Sequence, residues 1–175
     1  GLTPKIDDVY EVIKTIQIPV KVMVRCRGGN FTYDENETFK MEKEVDLLKS
    51  MGVQEIVLGA LTSSNLIDQK VTTRLVNRAF PMDVTFHKAI DYTCDILDQV
   101  GILSKINGIN SILTSGGEKN AEKGSVTINQ IINKFGSRFK IIAAGSITKT
   151  NLDALSKSIQ TNEFHGKKIV GNLNV

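Results

Sequence analysis

Six short runs rich in β-branched residues recur along the chain at roughly 30-residue intervals, and segments with helical spacing separate them. The runs are Val20–Arg25, Glu55–Gly59, Asp83–His87, Ser111–Ser115, Lys140–Ala144 and Glu163–His165. Apolar stripes at helical spacing precede, separate and follow them: Ile6, Val9, Ile13 and Ile16; Met41, Val45 and Leu48; Val71, Leu75 and Ala79. Ile96, Val100 and Leu103 form the next stripe, followed by Ile128, Ile131, Ile132 and Phe135, then by Leu152, Leu155 and Ile159. Strictly alternating strands and helices imply βα units and a parallel sheet, because parallel neighbours need a long crossover that a helix supplies. Thr3-Pro4 reads as an N-cap with a first-turn proline, and Gly52, Gly108 and Gly136 read as left-handed helix ends. No linker or low-complexity segment interrupts the pattern, so residues 1–175 read as one domain.

Two architectures satisfy such a pattern, an open doubly wound sheet and a (β/α)8 barrel. A barrel of about 250 residues spends about 31 on each unit. The 175 residues here therefore make five to six units, and the chain opens on a helix rather than a strand. Composition excludes other classes. The 22 basic residues are interspersed with 19 acidic ones, so no nucleic-acid footprint stands out. Two cysteines, Cys26 and Cys94, are too few for a disulfide framework and point to a reducing compartment. No apolar run approaches the roughly 18 residues of a membrane span, and no signal peptide opens the chain, so a cytoplasmic location is expected.

Four strings choose between the architectures. They are Val22-Met23-Val24-Arg25-Cys26-Arg27-Gly28-Gly29-Asn30-Phe31, Val84-Thr85-Phe86-His87-Lys88-Ala89-Ile90-Asp91, Ile112-Leu113-Thr114-Ser115-Gly116-Gly117 and Glu163-Phe164-His165-Gly166. In this order they resemble the wording VMIRPRGGDF, VTFHRAFD, ILTSGG and EFHGS of the CutC copper homeostasis family. Val57-Leu58-Gly59-Ala60-Leu61 resembles its VxGxL segment, and Gly1-Leu2-Thr3-Pro4 its GGLTPS. Departures are Cys26 for proline, Asn30 for aspartate, Lys88 for arginine, a less glycine-rich Ala143–Ser146, and Lys167-Lys168 for Ser-Ala-Arg. The resemblance implies a TIM (β/α)8 barrel, N-terminally incomplete, whose six strands correspond to strands 3 to 8. Two strands are then expected upstream of Gly1. Val20–Arg25 and Glu163–His165 should be edge strands with room for two more between them, at roughly 4.8 Å per strand. Such an opening would invite a partner chain, a homodimer included.

Alternation along each strand then assigns faces. Val22, Val24, Val84, Phe86 and Phe164 should meet the helices, while Met23, Arg25, Thr85, His87, Glu163 and His165 point inward. Barrel active sites sit at the C-terminal ends of strands, so Arg25, His87, Glu163 and His165 are expected to converge there as catalytic candidates. A histidine beside a carboxylate makes an acid–base pair, and Arg25 and Arg27 would clamp a carboxylate or phosphate. The glycine loops at Ser115-Gly116 and Gly145-Ser146 each follow a strand and are further anion-binding candidates, against the plainer reading of ordinary tight turns.

Copper enters through the resemblance alone. Cu(I) takes soft ligands, and Cys26, at a strand end, is the metal-ligand candidate. No Cys-x-x-Cys, Met-x-x-Met or His-x-His spacing occurs. The expected function is intracellular copper handling, by direct Cu(I) binding. The alternative is a barrel enzyme acting on a small anionic or phosphorylated metabolite through histidine acid–base chemistry.

Overall fold

A computed structural model describes residues 1–170. Its strands are β1 (Lys21–Met23), β2 (Glu55–Leu58), β3 (Asp83–Phe86), β4 (Ile109–Thr114), β5 (Lys140–Ala144) and β6 (Glu163–His165). The helices are α1 (Ile6–Thr15), α2 (Glu35–Ser50), α3 (Gln69–Ala79), α4 (Ile96–Leu103), α5 (Ser125–Phe135) and α6 (Leu152–Ser158). Among the described residues the six strands form one all-parallel sheet in sequence order, and β1 and β6 each pair on one side only. This is the curled, incomplete (β/α)8 barrel that the spacing and the resemblance imply.

The faces follow the alternation. Val22, Val24, Ile56, Leu58, Val84, Phe86, Ile112 and Ile141 lie on the helix side and are almost fully buried. Each such side chain contributes about 1.5–3 kcal/mol by leaving water. Thr85 and His87 are buried on the other face, and Met23 there is half-buried. The register holds equivalent residues in rows across the sheet, with Lys21 opposite Glu55 and Glu55 opposite Asp83. Lys21 forms an ion pair with Glu55, which also accepts a hydrogen bond from the Thr85 hydroxyl at 2.8 Å.

The helix ends show where local signals sufficed and where tertiary contacts overrode them. After α2, Gly52 adopts φ +82°. Its N–H donates to Lys49 and that of Val53 donates to Leu48, closing a Schellman motif over two buried side chains. Gly108 is likewise left-handed at φ +96°, but Gly136 stays right-handed at φ −64°. Thr3 is not an N-cap, because α1 starts only at Ile6, after Lys5. Thr3 instead pairs with Arg25, two residues beyond β1. Its N–H donates to the Arg25 carbonyl, and its hydroxyl accepts from the Arg25 N–H at 2.8 Å while donating to Glu44 at 2.6 Å.

Candidate functional site

The loop after β1 carries the sequence's densest group of candidates. Asp34 caps α2 and forms a capping box with Glu37. Glu37 also receives Arg27 through Nε and Nη2. The remaining Arg27 donors go to the carbonyls of Gly28, Asn30 and Thr32 and to Asn30 Oδ1. The expected anion clamp at Arg27 is thus committed to the loop's own shape. Arg25 is freer. Its Nη2 donates to the Gly29 carbonyl at 2.6 Å and its guanidinium lies 4.4 Å from the Phe31 ring centre, while its buried Nε finds no hydrogen-bond partner among the described residues.

His87 directly follows β3, at the start of the 3-10 segment Lys88–Tyr92, with its ring against Phe31 of that loop. It is only 4% exposed, and the Phe31 ring centre stands 4.9 Å from its own. Its Nδ1 accepts the Ala89 N–H at 3.2 Å. The neutral ring therefore carries its proton on Nε2, which has no partner among the described residues. Burial pushes the imidazole down to about 3, and the Arg25 charge adds to the shift. No carboxylate bonds the ring among the described residues, so they form no histidine–carboxylate acid–base pair at His87, and burial keeps His87 neutral at physiological pH. Space for the ring is left by Gly59, where a Cβ would stand 2.5 Å from Nδ1.

Glu163 and His165 do not converge on one place. Glu163 is the first residue of β6 and lines a cavity of about 370 Å³ with Lys21, Glu55, Asp83 and Lys140, each the first residue of its strand. That is the N-terminal end of the sheet. His165 is the last residue of β6, opposite Ala144, at the C-terminal end. Two residues along a strand advance about 6.6 Å, enough to change layers in the interior.

The first glycine loop is already filled. The Asp91 carboxylate, 6% exposed, accepts from the N–H groups of Ser115 and Gly117 and from the hydroxyls of Thr114 and Ser115. The Gly116 N–H goes to the Thr114 hydroxyl. Ser115 and Gly117 thus bind an anion supplied by the chain itself, and Gly116 between them does not touch it. Lys88 completes the cluster, bonding the Ser115 hydroxyl and pairing with Asp91 at 2.8 Å. Asp91 was visible in the sequence only as the end of a string; the usable signal is an acid one βα-loop before a Ser-Gly-Gly turn.

The second glycine loop, by contrast, opens on a cleft. Gly145 and Ser146 line it with Lys88, His165, Lys167 and Lys168, and its volume is about 280 Å³. Although His165 as a residue is exposed, burial of its ring lowers its pKa, and the Lys88 charge lowers it further.

Cys26 is half-buried and packs against the hydrophobic core. Burial raises its thiol pKa, and the charges of Glu37 and Glu44 raise it further, so it stays protonated. Among the described residues no group of three or more His, Cys, Asp and Glu side chains is placed to hold a metal ion. Cys26 therefore has no cluster of such donors around it among the described residues. No helix in the described residues is long and apolar enough to cross a membrane.

Comparison with known proteins agrees with the barrel strands and their order. A sequence model of the CutC family matches residues 1–170. The chain belongs to the CutC family. The copper homeostasis protein CutC homolog of Mus musculus is 35% identical over 165 residues, covering 94% of this chain but 60% of the mouse protein. The chain thus spans about 60% of the length of that curated relative. The CutC structure from Streptococcus agalactiae superposes with a TM-score of 0.91 at 27% identity, covering 97% of this chain and 83% of that one. Dihydrodipicolinate synthase DapA-2 of Bacillus anthracis shares the fold alone, with a TM-score of 0.57 at 18% identity over 90% of this chain and 49% of that one. Two departures from the usual CutC wording are explained by this structure. Asn30, in the aspartate position, accepts from Arg27 Nη1 at 3.0 Å, and Lys88, in the arginine position, holds Asp91.

Proposed function

We propose that this CutC chain acts in copper homeostasis inside the cell, without forming a thiolate copper site from residues 1–170. The observation that carries the role is the family relationship across 94% of the chain to proteins named for copper homeostasis. What supports the second half is the donor chemistry. Cu(I) selects soft thiolates, and metal capture requires them deprotonated. Cys26 is a packed thiol with raised pKa, and Cys94 is exposed on a different loop.

Disruption of the gene, with cellular copper measured by mass spectrometry under copper challenge, tests the role. Copper content or tolerance should change, and both the wild-type chain and Cys26→Ser should restore it. Copper handling indistinguishable from the parent strain would refute the role, and failure of Cys26→Ser alone to restore it would refute the thiol-independent part.

A further inference from the structure

The cleft at the C-terminal ends of β5 and β6 has no cysteine or methionine in its lining. Its lining brings Lys88, His165, Lys167 and Lys168 from two separate stretches of chain, and none of its lining residues is acidic. Asp91 lies behind it and neutralises Lys88 in part. Lys167 and Lys168 are exposed and carry no ion pair among the described residues. The floor is built for close approach. Gly145 has φ +108°, and a Cβ there would meet Ser115 Cβ at 3.0 Å. At Gly166 a Cβ would collide with the Ile147 carbonyl, so glycine lets the two chain segments approach closely beside the lysines of the lining.

The neighbouring loop supplies an internal comparison. After β4, the strand–Ser–Gly turn holds a carboxylate from its own chain through two backbone N–H groups and two hydroxyls. After β5, the strand–Gly–Ser turn faces lysines, and no carboxylate of the chain bonds it among the described residues. One loop thus carries its anion within the fold, and the other presents the same kind of turn with a surplus of positive charge. A volume of about 280 Å³ admits a tetrahedral oxyanion with a small organic group attached. Two unpaired lysines and a ring N–H suit a dianion with several acceptor oxygens better than a monocarboxylate.

We infer that this cleft binds the phosphoryl group of a small phosphorylated molecule, with Lys167 and Lys168 as its charge partners and His165 as a hydrogen-bonding neighbour. The site is a binding site, and the inference assigns it no reaction.

Calorimetric titration of the full chain with inorganic phosphate, at ionic strength held constant with sodium chloride, tests it. The wild type should bind one equivalent saturably. The double variant Lys167→Gln/Lys168→Gln should bind at least roughly tenfold more weakly, the scale set by two charge-assisted contacts. A charge-matched control, Lys105→Gln/Lys123→Gln, replaces two exposed lysines outside the cleft and should leave affinity unchanged. Absence of saturable binding would overturn the inference. So would equal weakening in the control, which would show only bulk charge, or an unaltered affinity in the cleft variant. Coincident thermal melts of the exposed-lysine variants exclude misfolding as the cause of any loss.

Discussion

The carboxylate of Asp91 accepts the backbone N–H of Ser115 with both oxygens, at 3.1 and 3.0 Å. It thereby ties the short 3-10 segment Lys88–Tyr92 to the loop after β4, 24 residues further on. Asp91→Asn would point an amide donor at N–H groups that need an acceptor. The variant should lose about 2–4 kcal/mol of stability, since bonds to a charged acceptor are lost and buried donors are left unmade. Urea unfolding measures this, and a loss below about 0.5 kcal/mol, the scale of an ordinary surface change, would contradict the anchoring role.

His87 makes stability pH-dependent in a stated direction. Its folded pKa, about 3, lies below the ordinary value of 6.5, so the unfolded chain binds more protons between these two values. Stability from this residue is full above about pH 6.5 and falls as pH drops toward 3, by roughly 1.4 kcal/mol per unit at most. Comparing wild type with His87→Gln across pH 4 to 7 isolates the effect. Parallel curves would contradict it.

Gly59 leaves room for the His87 ring, and its backbone is not left-handed, so the constraint there is steric. Gly59→Ala should destabilise the chain by about 1–3 kcal/mol as the ring is forced from its place. The same substitution in His87→Ala should cost much less, so the double variant loses less than the sum of the two single losses. Additive effects would show that the ring is not what the methyl meets.

The open edges give a kinetic expectation. Among the described residues β3 and β4 pair on both sides, whereas β1 and β6 pair on one. Hydrogen exchange should therefore be on the order of tenfold or more faster at the outer strands than at β3 and β4. Equal protection would show that further chain covers the edges.

Much of this was legible beforehand because it rests on local periodicity. Val84 and Phe86 against Thr85 and His87 follow from alternation, and β5 and β6 have the expected bounds. What escaped depends on contacts across the chain. Thr3 has cap chemistry, yet Arg25 and Glu44 claim it. Arg27 has the shape of a clamp, yet Glu37 and three loop carbonyls use its donors. β4 begins at Ile109, two residues before the expected start, directly after the left-handed Gly108. Glu163 and His165 share a face, as alternation requires, but spacing alone does not say which end of the sheet each one reaches. The pairing of a Ser-Gly-Gly loop with an acid one unit earlier is a tertiary match that no local rule contains.

The most direct test of the copper account is retention of Cu(I) against a competing chelator such as bathocuproine disulfonate, comparing the wild-type chain with Cys26→Ser. A protonated, packed thiol with no clustered partners predicts the same weak retention in both. One equivalent held by the wild type and released by the serine variant would contradict the claim that residues 1–170 form no thiolate copper site.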